Sequence, residues 1–183
     1  MRSLKHHANL YLWAVLFLAI AMVGTTTNAF ASLSESAPTS VSATGVTLNG
    51  VNQTTTYALG LTVANTPSGG NGAGWKLTIT STTFTAGAHT LSTTASTIQT
   101  APTVACNSGC STNPSNNVSY PLTVPAATPA PTPVKFFNAA VNTGQNTGSG
   151  SFLITPTITV AIPANTFVGS YTSTVTITIA SGP

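Results

Sequence analysis

Acidic side chains are almost missing from this chain. Glu35 is the only Asp or Glu among 183 residues. That scarcity removes several chemistries. General acid–base pairs and glycosidase dyads need two carboxylates, and calcium sites want several. Basic residues are nearly as rare, with Arg2, Lys5, Lys76 and Lys135 the complete set. Phosphate binding needs several cations close together, so nucleic acid is excluded as a partner. Histidine occurs as His6, His7 and His89. Without a carboxylate to orient it, His89 cannot complete a nucleophile–base–orienter triad, and it reads as a solvated turn residue. The Gly-rich turn at 69–74 lacks the Lys-Ser/Thr pair of a phosphate loop, and a strand pattern follows it where a phosphate loop has a helix. No catalytic residue, metal site or cofactor is expected, and the chain reads as a non-enzyme.

Low charge does not imply disorder here. Disorder also needs low hydrophobicity, and 42% of the residues are hydrophobic. Thr, Ser, Asn and Gly must supply the polar surface, which suits β-structure in an extracellular setting. No apolar run reaches the ~20 residues of a spanning helix. The longest, Leu10 to Gly24, follows a basic start (Arg2, Lys5, His6, His7) and leads to Ala29-Phe30-Ala31. Basic start, short apolar core and small-x-small pattern make a signal peptide. The expectation is a leader over 1–31, cleavage after Ala31, export, and no stable membrane span afterwards. Trp13 leaves with the leader. Residues 32–183 then carry only Glu35, Lys76 and Lys135.

The exported part divides into a disordered lead-in over 32–40 and one β-domain over 41–183. Tyr57, Leu59, Leu61 and Val63 alternate with small or polar residues, the period of a half-buried strand. Asn65 to Gly74 is a long turn, and Trp75, Leu77 and Ile79 then share a face. Thr90 to Gln99 is a Thr-rich strand candidate. Ala101 to Asn117 reads as irregular, Pro125 to Pro133 as a rigid extended connector, and Asn142 to Gly150 as a flexible turn. Phe152, Ile154, Ile158, Val160 and Ile162 share one parity, with Pro156 favouring an edge or a bulge. Tyr171, Val175, Ile177 and Ile179 share a face in the last strand, with Thr172, Thr174, Thr176 and Thr178 opposite. The pattern predicts an all-β antiparallel sandwich of Ig-like architecture with about eight or nine strands.

Two cysteines, Cys106 and Cys110, lie in the irregular stretch. In an exported chain a pair this close favours a disulfide. A redox pair or half a metal site are the alternatives. Against them stand the three intervening residues and the lack of a second Cys or His pair.

At Gly72-Ala73-Gly74-Trp75-Lys76-Leu77 the chain resembles the WxL-domain family of bacterial surface proteins. Trp75-Lys76-Leu77 matches that family's first motif. The second runs Tyr-x-x-x-Leu-Thr-Trp-Thr-Leu, and here it reads Tyr171-Thr-Ser-Thr-Val175-Thr176-Ile177-Thr178-Ile179, with Ile177 where a Trp is expected. The resemblance implies a cell-surface protein held non-covalently to the wall through peptidoglycan or another wall glycan, alongside other surface proteins. The alternative is a structural subunit of a surface layer or filament.

Two roles for Trp75 compete. Exposed beside Lys76, it would stack on wall glycans. Buried, it would pack near Val175 and Ile177. Alternation with Leu77 and Ile79 favours burial. The binding surface then lies elsewhere, with the 65–74 turn as the nearest candidate.

Overall fold

A computed structural model describes residues 18–21, 33–66 and 72–183. Trp13, the Ala31 cleavage site and the Gly69-Gly70 pair of the long turn lie outside the described residues. Within them the chain is all β. In order the strands are β1 (Leu18–Ala21), β2 (Leu33–Ser36), β3 (Ser40–Ala43), β4 (Gln53–Ala58), β5 (Leu61–Asn65) and β6 (Trp75–Ser81). β7 (Thr85–Ala86), β8 (His89–Thr90), β9 (Ser96–Ile98), β10 (Thr103–Thr112) and β11 (Leu122–Thr123) follow. β12 (Val134–Ala139), β13 (Gln145–Thr155), β14 (Thr157–Ile162) and β15 (Tyr171–Ser181) complete the chain.

One sheet runs β12-β6-β15-β1-β3, with the small β7–β8 hairpin attached to β15. Two four-stranded sheets run β10-β13-β5-β2 and β11-β9-β14-β4. All pairings between strands are antiparallel except β1 with β15. The architecture is sandwich-like, as the alternation predicts. The strand count exceeds eight or nine because long strands are cut at sheet corners and several pieces have only two to four residues.

The two four-stranded sheets are arms of one bent ladder. β4 pairs with β14 from Gln53↔Ile162 to Ala58↔Thr157, and β5 resumes with β13 at Leu61↔Ile154. At the bend the Leu59 N–H donates to the Pro156 carbonyl at 3.0 Å. Pro156 has no N–H to continue a ladder, so the chain turns the corner there. The inward parity survives the bend. Leu59, Leu61, Ile154 and Ile158 are all fully buried. They face the large side chains of the other sheet, chiefly Trp75, Leu77, Ile79, Phe136, Phe137, Tyr171 and Val175. Of the core residues expected from periodicity, Ile179 alone is only partly buried, because it lies near the end of β15.

Four expectations are corrected. The lead-in is not a loose segment: β2 pairs with β5, placing Glu35 opposite Val63, and β3 joins the other sheet. The stretch around the cysteines is not irregular, and most of 142–150 is not a turn. β10 pairs with β13 along both, with register shifts between Cys106 and Thr112. Nearly every residue of β10 is exposed, so no buried face imposes a period of two. In the Thr-rich stretch from Thr90 to Gln99 only Thr90, the end of β8, and Ser96–Ile98 are strand. Cys106 and Cys110 form a disulfide across the bulged segment of β10.

The Pro-rich stretch bridges the two layers, leading from β11 to β12. It runs beside β6, where Thr80 Oγ1 donates to the Pro131 carbonyl at 2.8 Å and the Ser81 N–H to the Pro125 carbonyl at 3.0 Å.

Glu35 is half-buried, and its Oε2 is buried without a hydrogen-bond partner among the described residues. Burial raises its carboxyl pKa above the ordinary value. Below the unfolded-state pKa of about 4.3 both states are neutral. As pH rises through that value the unfolded chain ionises first, so stability falls until the folded pKa is passed. The protein should therefore melt at a lower temperature at pH 7 than at pH 4. Glu35→Gln, which removes the only acidic side chain, should raise the pH 7 melting point and flatten the profile. Calorimetric melting across this range checks both; an unchanged slope in the variant would contradict the assignment.

Candidate functional site

The two motif strands are neighbours. β6 and β15 pair antiparallel with Leu77 opposite Ile179, Ile79 opposite Ile177 and Ser81 opposite Val175. Trp75 stands opposite Ser181 on one side and Ala139 of β12 on the other. The register does not set the indole beside Val175, as one of its two expected roles had it. Val175 is six residues further along the ladder, roughly 20 Å away. The indole's ring neighbour is Phe137, with centroids 5.7 Å apart and planes tilted by 30°.

Trp75 has 0% exposure. Its Nε1–H donates to the Gly144 carbonyl at 2.9 Å, and Asn65 Nδ2 donates to the same oxygen at 3.0 Å. Gly144 has φ +61°, and a Cβ there would lie 2.8 Å from Nε1. Gly74, just before the indole, has φ +74°, and its Cβ would meet the Ala139 carbonyl oxygen at 2.5 Å. Both positions demand glycine, for conformation and for space. Asn146 Oδ1 accepts from the Asn65 N–H at 3.0 Å, and the Gly72 carbonyl accepts from the Asn142 N–H at 2.9 Å. The motif thus ties β5, the 72–74 segment and the 140–146 loop together around one buried ring. Lys76 is partly exposed on the outer face and Leu77 is fully buried. Ile177 is 5% exposed and faces inward, so the position where the second Trp is expected is a packing position.

At the other end of β15, roughly 30 Å away for eleven residues of strand, three loops converge. The Ala164 N–H donates to Asn52 Oδ1 at 2.9 Å, joining the 163–170 loop to the loop before β4. The His89 ring, on the β7–β8 hairpin, stacks on Phe167 with centroids 3.8 Å apart and planes 13° from parallel. Tyr171 is 1% exposed and its hydroxyl donates to the Phe167 carbonyl at 3.1 Å, which fixes the loop from below. Two clefts meet at Pro163. One, of about 370 Å³, is lined by Asn52, Gln53, Thr54, Ala161 and Ile162. The other, of about 260 Å³, is lined by His89, Thr90, Ser92, Asn165, Thr166 and Phe167 among others. Phe167 is 60% exposed, and Val51 and Val168 are each 57% exposed. Glu35, Lys76 and Lys135 line neither cleft.

A family model for the WxL domain, described as surface cell wall-binding, matches residues 22–183. The chain belongs to the WxL domain family. No curated protein and no solved structure matches it. Among the described residues no helix is long and apolar enough to cross a membrane. No group of three or more His, Cys, Asp or Glu is placed to hold a metal there.

In this WxL domain the two motifs lie on neighbouring strands, but their residues are spread along the ladder and serve as core. Trp75, Leu77, Tyr171, Val175 and Ile177 are buried, and Lys76 alone of the six reaches the surface. An indole without exposed surface offers no face to a sugar. The turn at 65–74 falls partly outside the described residues, at 67–71. His89 is exposed as expected, but it opens strand β8 just after the turn, and it is not simply solvated, since its ring covers one face of Phe167. Pattern reading passed over Phe167 and Val168. The available signal was two large apolar residues inside a turn, between Asn165 and Gly169, where no strand face needs them.

Trp75→Ala should cost about 3–5 kcal/mol. Trp75→Phe keeps most of the packing and loses the Nε1–H bond, at about 1 kcal/mol. Urea unfolding of the two variants checks the order; equal stability of Trp75→Ala and the parent would place the indole outside the core.

Proposed function

We propose that this WxL domain is exported, loses residues 1–31, and holds non-covalently to the peptidoglycan of the cell wall without catalysing a reaction. The observation that carries this is the match to a surface cell wall-binding family over nearly the whole chain. The chemistry of the exposed surface supports it. Glu35, Lys76 and Lys135 are the only charged side chains after residue 31, so attraction to a polyanionic wall polymer is not available. Hydroxyl, amide and aromatic groups remain, and they suit an uncharged glycan. Other surface proteins are compatible partners for the same domain.

A second reading, a structural subunit of a surface layer or filament, is favoured by one observation. β1 fills the place between β15 and β3, and it lies inside the expected leader. Its removal would leave the flanks of Tyr171–Thr174 and Ser40–Ala43 without that partner. Open strand flanks are templates for pairing with another chain.

The wall-binding reading has a direct assay. Protein recovered from the cell surface should begin at Ser32 by mass spectrometry. It should co-sediment with purified peptidoglycan sacculi at both ~0.1 M and ~1 M salt, because an uncharged contact is not screened. Failure to sediment, with and without other surface proteins added, contradicts it. For the second reading, light scattering of the same protein should show growth with concentration. A monomer at every concentration excludes it.

A further inference from the structure

Among the described residues, the exposed Phe167 ring is stacked on a second ring, His89, and set in a polar cleft. We propose that the cleft between the β7–β8 hairpin and the 163–171 loop is a glycan subsite. It takes a neutral N-acetylated sugar of the peptidoglycan strand, with Phe167 as the stacking platform. This rests on the wall-association reading and names its contact surface.

Three observations carry the assignment. First, Phe167 is held in place and yet open. His89 lies against one ring face, the Phe167 carbonyl accepts the hydroxyl of buried Tyr171, and the Thr166 N–H donates to the Pro163 carbonyl at 3.0 Å. With 60% of its surface exposed, the ring is pre-positioned, so binding pays little to order it. A pyranose presents C–H groups on its apolar face, which fit the electron-rich face of an aromatic ring. Second, the cleft walls supply neutral hydrogen-bonding groups from Thr90, Ser92, Asn165 and Thr166. Such groups match sugar hydroxyls and an acetamido group, and without a Lys or Arg in the lining there is nothing to fix a phosphate or carboxylate. Third, the cleft of about 260 Å³ is small, and a second, more apolar one of about 370 Å³ lies on the other side of Pro163, which lines both. A few placed polar groups beside an apolar wall are what small-ligand recognition uses. Trp75 and Ile177, the motif positions, are buried and leave this role unfilled.

The experiment uses the full protein isolated from cells and two probes. One is peptidoglycan sacculi stripped of attached polymers with hydrofluoric acid; the other is soluble tri-N-acetylchitotriose followed by NMR. Phe167→Ala should weaken sedimentation with stripped sacculi about tenfold or more, as loss of a central aromatic contact does. It should also abolish the chitotriose-induced shifts at the 86–92 and 163–171 segments. Its melting point should stay within the small range of exposed-site changes. Phe167→Tyr should retain both activities, and Val141→Ser, which removes an equally exposed apolar residue elsewhere, should leave both intact. If the parent protein ignores sacculi, the wall reading itself fails, while the chitotriose arm still reads the subsite. Normal sedimentation and normal shifts in Phe167→Ala would overturn the subsite alone. Binding only to unstripped walls would overturn the peptidoglycan assignment. Loss of capture seen only when another surface protein is present would make the ring a protein-docking contact and overturn it too.

Discussion

The hydrogen bond from Trp75 Nε1 to the Gly144 carbonyl is the constraint on which this end of the structure depends. A buried indole must find an acceptor for its N–H, or its burial is costly. Here the acceptor is a backbone carbonyl that also serves Asn65. The same oxygen therefore fixes the end of β5, the start of β6 and the loop into β13. Gly144 is required because a Cβ would strike the indole, and Gly74 because a Cβ would strike the neighbouring strand.

This changes what the family motif means in this chain. Trp75-Lys76-Leu77 and the 171–179 strand are joined in one ladder, and their large side chains point into the sandwich. The Ile at position 177 fills a core site, so it alters packing without deleting a surface platform. The motif marks the fold. Under the proposed subsite, recognition falls to the far end of β15, where the clefts are lined by no Lys, Arg, Asp or Glu and the Phe167 ring stands open. A surface so poor in charge must discriminate by shape, stacking and hydroxyl or amide hydrogen bonds, and its contacts should be indifferent to salt.

How much of this could be read beforehand depended on burial. β4, β5, β6, β14 and β15 each bury one face, so their sequences alternate and their core residues were legible. β10 and the first half of β13 are exposed or bulged, so nothing imposed a period there, and the segments read as loop. β2 was missed because it is four residues long and carries Glu35. Pro156 was legible as an interruption, but only the ladder shows that it is a corner shared with Leu59. The His89–Phe167 pair joins residues far apart in the chain, and no local pattern encodes such a contact.

The central claim is that the motif Trp builds the domain and does not touch the wall. With the leader removed, Trp75 is the only Trp, so its fluorescence reports on that claim alone. The emission should be blue-shifted and poorly quenched by acrylamide, and neither should change when peptidoglycan is added. A red-shifted, readily quenched emission that becomes protected on peptidoglycan would contradict it.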